Sequence, residues 1–66
     1  MDDETYTLWH INQHDGTRLG VIARGYTDAD NAINEADRLT DLMFTDIAVY
    51  QGDQLIVAFS PTSLDD

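Results

Sequence analysis

Two turn signals bracket one amphipathic helix, and between them they leave this chain few ways to fold. Asp15-Gly16 and Gln51-Gly52-Asp53 each supply a glycine where a tight hairpin needs positive backbone torsion. Each is flanked by runs rich in β-branched and aromatic side chains, at residues 5–12 and 17–24 for the first turn and 46–50 and 54–59 for the second. Such runs read as strands. Between the hairpins, Ala29, Ala32, Ile33, Ala36, Leu39 and Met43 recur with the period of a helix over residues 28–43. Gly25-Tyr26 breaks the strand pattern before it. Thr27 is the expected N-cap, with Asp28 and Asp30 in the first turn, where anions favour the helix dipole. The alanines let a helix lie close against a sheet. Pro61 ends the last strand, since it cannot donate to a ladder.

The order strand-strand-helix-strand-strand predicts an α+β fold, a four-stranded antiparallel sheet with the helix packed on one face. Sixty-six residues allow one small domain over residues 1–66, and a chain this short buries only about 60% of the surface its unfolded form exposes. Residues 1–4 and 61–66 read as polar, flexible ends. The start lacks the basic region and apolar run of a secretion signal. No segment nears the ~20 apolar residues a membrane span needs. The expected location is the cytoplasm.

With Asp15-Gly16 at the centre of the first turn, His14 faces Thr17 and Trp9 faces Ile22. One hairpin face then carries Tyr6, Leu8, His10, Leu19, Val21 and Ala23; the other carries Thr7, Trp9, Ile11, Arg18, Gly20, Ile22 and Arg24. A sheet under one helix has a covered face and an open one, yet both faces here bear large apolar groups. Trp9, Ile11, Ile22 and Tyr50 are therefore candidates for a second interface.

Charge narrows the partners. Thirteen acids against three bases give a net charge of −10. Direct binding to nucleic-acid phosphates and docking on anionic membranes are both disfavoured by like-charge repulsion. Eleven of the acids are Asp, and all three bases are Arg. Asp30, Asn34, Asp37 and Asp41 line one side of the predicted helix, with Asp28 and Glu35 on its flank and Asp46 beyond its end. From Asp30 to Asp41 the axial span is about 16 Å. A DNA strand would place about five phosphates along that length, one per ~3.4 Å, so three carboxylates are a diluted copy of it. A solvated helix face is the ordinary use of such residues. The whole-chain charge points beyond it, to an anionic binding surface with Asp28, Asp30, Glu35, Asp37, Asp41 and Asp46 as its members.

No constellation names a reaction. There is no cysteine, so neither disulfide nor thiolate metal site exists. Asp28-Ala29-Asp30-Asn31 opens like a calcium loop but lacks its sixth-position Gly and twelfth-position Glu. His10 and His14 lie on a strand and a turn, with no nucleophile to serve. No enzyme activity, cofactor or metal is expected.

In size, charge and layout the chain resembles the small acidic inhibitors that phages and mobile elements carry against host defences, the anti-CRISPR proteins and other DNA mimics. The resemblance rests on no motif and transfers no residue. It implies an inhibitor that occupies the positively charged nucleic-acid-binding surface of a bacterial effector. The alternative is a small acidic housekeeping protein of a salt-adapted organism, homodimeric through the open sheet face. A mimic needs its acids on one side, whereas salt adaptation spreads them everywhere except interfaces.

Overall fold

The computed structural model describes residues 5–61. The expected flexible ends, Pro61 apart, lie outside the described residues. Four strands, β1 (Tyr6–Ile11), β2 (Arg18–Tyr26), β3 (Ile47–Gln51) and β4 (Gln54–Phe59), flank one helix, α1 (Ala29–Met43), in the expected order. All neighbouring strands are antiparallel, in the spatial order β2-β1-β3-β4. The two hairpins thus meet through their first strands, β1 beside β3.

The core forms where α1 crosses that central pair. Leu8, Ile47 and Val49 are fully buried against Ala32 and Ala36. Alanine at both helix positions keeps the helix axis close to the sheet, so β3 loses all contact with solvent at Ile47 and Val49. The buried helix stripe continues not at Met43 but at Thr40, one turn after Ala36. Its hydroxyl donates to the Ala36 carbonyl at 2.7 Å, which satisfies the polar atom and lets a polar residue sit inside. Met43, expected on the inner face, is exposed.

The first hairpin departs from its predicted register, and its loop explains why. Asn12 N–H donates to the Thr17 carbonyl at 2.9 Å, and Gly16 N–H to the Asn12 carbonyl at 2.7 Å. The side chains of Asn12 and Asp15 accept from the backbone N–H groups of His14 and Thr17, two residues on in each case. These local bonds stabilise a four-residue loop in place of a two-residue turn. His14 therefore does not face Thr17. Along the strands three register shifts fit nine β2 residues to six of β1, giving Trp9 opposite Val21 and Ile11 opposite Arg18, while Leu8 faces Ala23 as the predicted register has it. The strand also runs on through Gly25, at φ 91°, to Tyr26. The helix begins one residue late, with Asp28 rather than Thr27 as its cap: the Asp28 carboxylate accepts from Asp30 N–H at 3.3 Å.

The shifts change which residues face the helix. Ile22 and Ala23 both pack on the core, whereas Val21 pairs with Trp9 on the open face and is exposed. Ile22 is thus no part of an open-face interface. A bulge lets consecutive residues turn to the same side, and no alternation rule could anticipate where it falls.

Candidate protein-binding surface

Helix α1 carries Asp30, Asp37 and Asp41 in one exposed row. Spacings of seven and eleven residues place Asp37 and Asp41 about 20° to either side of Asp30 around the axis. Asp28, also exposed, caps the N-terminal end of the helix beside the row. Glu35 is half-buried and bonded to Arg38 one turn later. That hydrogen bond, and the carboxylate charge behind it, hold the Arg38 guanidinium still further above its already high ordinary pKa. The one cation on the helix is therefore committed to a neighbour beside the row. Asp46 lies apart from it. It is buried before β3, where its carboxylate accepts from Ser60 Oγ at 3.0 Å and its carbonyl from Ile11 N–H at 3.2 Å.

The sheet has the opposite character. None of the four strands contains an acidic residue. Every acid among the described residues lies on α1 or in a loop, whereas Arg18 and Arg24 both lie on β2. On the open face the Arg18 guanidinium sits 4.8 Å from the Trp9 ring centre and 4.6 Å from that of Tyr50. Such stacking contributes roughly 0.5–1 kcal/mol where partly exposed. A long contact to Asp53, at 3.8 Å, adds little in water. Ala48 pairs with Trp9 and Ala58 on this face and has no exposure at all. Trp9 and Tyr50 do lie on the open face as expected, but Arg18 lies over both. Ile11 is half-buried opposite Arg18.

Two features escaped the sequence. At the end of α1, Leu42 and Phe44 are each 69% exposed, with Met43 beside them at 49%. Phe44 also holds a left-handed backbone, φ 54° and ψ 51°, its N–H donating to the Thr40 carbonyl. That position is usually glycine, because Cβ crowds the carbonyl there. The sequence signal was the missing glycine after a helix that must end. The second feature is a cleft of about 340 Å³ between this corner and the first hairpin loop, lined by Ile11, His14, Phe44, Asp46 and Pro61 among others. Its carboxylate is already engaged by Ser60. Nearby, Thr45 Oγ1 and His10 Nε2 share a hydrogen bond of 2.6 Å.

Among the described residues no three acidic or histidine side chains converge so as to hold a metal ion. No helix among them is long and apolar enough to cross a membrane. No family model, curated protein or solved structure matches the chain.

Proposed function

We propose that the protein is a non-enzymatic binding module that presents the acidic row of α1 to a positively charged protein surface. The fit is best to a surface that otherwise holds nucleic acid, as on a defence effector. The observation that carries this reading is the segregation of charge: carboxylates on the helix and loops, none in the strands. The charges lie on a rigid element, so little ordering entropy is lost on binding.

Charges alone would bind weakly, since each exposed carboxylate–cation pair contributes about 0.2–1 kcal/mol. Specific interfaces draw most of their energy from a few apolar or aromatic anchors. Leu42 and Phe44 stand directly after Asp41 at the end of the same helix. Row and anchor together make one surface, matched by a basic groove with an apolar socket at one end.

The test is competition for a bacterial DNA-binding effector loaded with labelled duplex. The protein should displace the duplex, and displacement should weaken steeply as salt rises, because exposed charges are screened over ~8 Å at physiological ionic strength. The protein should not bind the free duplex. Tight binding to bare DNA at ordinary salt would end this reading.

A further inference from the structure

The two edges of the sheet are built differently. Edge strand β2 carries Arg18 and Arg24 and is offset from β1 by three register shifts. Charges and bulges of this kind blunt an edge against pairing with another chain. Edge strand β4 has one shift, and from Gln54 to Ser60 it carries no charge at all. Its apolar side chains are also uncovered, Leu55 at 51% and Ile56 at 38% exposure. On the open face Arg18 already covers Trp9 and Tyr50. Exposed apolar side chains lie on both edges, Leu19 at 56% and Val21 at 42% on β2, but only on β4 do they stand in a strand without charge.

We propose that β4 is the dimer edge: β4 of a second copy adds to it antiparallel, making one eight-stranded sheet. Sheet edges present unpaired backbone groups on their outer side, and strand addition satisfies them. The occupant follows from charge. On a chain of net charge −10, β4 is an edge along which two copies can approach without carboxylate facing carboxylate. A cationic partner finds no acid in this strand, and an anionic one meets the repulsion of the whole molecule. A two-fold interface needs only one self-complementary patch. Antiparallel pairing of β4 with itself sets the Asp53 end of each copy beside the Ser60 end of the other, so the two Asp53 side chains stay at opposite ends. The two-fold axis stands perpendicular to the sheet, which leaves both α1 helices on one side and doubles the acidic surface. This inference stands independently of what that surface binds.

Light scattering on the intact protein at micromolar to submillimolar concentration reads the mass. The expected result is twice the 7.4 kDa chain mass, with the dimer favoured by added salt because the copies are alike in charge. Leu55→Lys and Ile56→Lys, each at an exposed position, should reduce the mass to that of one chain. Val21→Lys, equally exposed on the far side of the open face, should leave it doubled. A single-chain mass at every concentration overturns the proposal. So does a dimer lost in Val21→Lys and kept in both β4 variants. Amide exchange on the unmodified protein gives a check independent of the variants: protection of β4 should rise with concentration, and no rise overturns the pairing.

Discussion

Phe44 holds a conformation that disfavours every side chain except glycine's and exposes an aromatic ring as well. Neither feature stabilises the fold. The left-handed backbone costs about 1–2 kcal/mol in a residue with a Cβ, and glycine at the same place gives back ~0.5–1 kcal/mol of that through its more flexible unfolded chain. Phe44→Gly should therefore leave stability unchanged or raise it by up to about 1 kcal/mol, read by thermal unfolding. If Phe44 is the anchor, the same change should lower affinity for the cationic partner several-fold. A protein clearly destabilised by Phe44→Gly would mean that the ring serves packing instead. Asp15 tests the loop in a different way. Bonds to Thr17, from its side chain and its backbone N–H, hold the Asp15 carboxyl below the usual carboxylate pKa. A depressed folded-state pKa contributes stability that is present above the ordinary value of about 4 and is lost as pH falls towards the folded one. Asp15→Ala should accordingly destabilise at neutral pH, and the gap to the unmodified protein should narrow below about pH 4. A gap independent of pH would show that the carboxylate is not what closes the loop.

At the level of elements, the helix and both hairpins were legible, but the loop and part of the register of the first hairpin were not. Alanine spacing places α1 within a residue of its true start and names Ala32 and Ala36 as its inner face. Two inner positions went differently because polarity was a poor guide at the helix end. Thr40 carries its own hydrogen bond inward, while Met43 lies where the sheet no longer reaches. In the first hairpin, side chains of Asn12 and Asp15 decide the loop length, and the longer loop moves the partners of Trp9, His10 and Ile11, while later shifts return Leu8 and Thr7 to Ala23 and Arg24, their predicted partners. Periodicity cannot register such local competition. The second hairpin was easier: Gln51 pairs with Gln54 around Gly52 at φ 64°, as a two-residue turn demands. The close approach of α1 to β3 gives the element-scale prediction. Ala36→Leu adds bulk where no space exists and should cost about 1–3 kcal/mol. That is a large share of the roughly 3–10 kcal/mol available to a chain of this size. Asp37→Asn, the next residue and exposed about 100° further round the same helix, should shift unfolding by less than about 0.5 kcal/mol. An Ala36→Leu protein as stable as its parent would contradict the packing described.

Among the described residues charge is divided between helix and sheet, and half of that division was readable beforehand. The acid row on α1 follows from spacing alone, and so does its distance from the alanine face. That Arg18 would cross the sheet to lie over Trp9 and Tyr50 depends on strand order and register, which no single segment encodes. The candidate acids also separate only in three dimensions: Asp30, Asp37 and Asp41 are exposed on the helix, Glu35 is tied to Arg38, and Asp46 turns inward to Ser60. A net charge of −10 held in so small a volume opposes folding by self-repulsion. Added salt should therefore raise the unfolding temperature while weakening the complex with a cationic partner. The two salt effects have opposite signs and are measured on the same sample.

The most direct measurement of the central claim reverses the field of the helix row. A protein carrying Asp30→Lys, Asp37→Lys and Asp41→Lys together changes three exposed positions that lie away from the buried stripe. It should keep its fold by circular dichroism. Single changes to Asn should be nearly silent in displacing duplex from a DNA-binding effector, since each pair contributes about 0.2–1 kcal/mol. The triple change should abolish displacement, whereas Leu55→Lys on β4 should leave the row's contact with the effector in place. A folded triple variant that still displaces the duplex fully would show that α1 is not the contact surface.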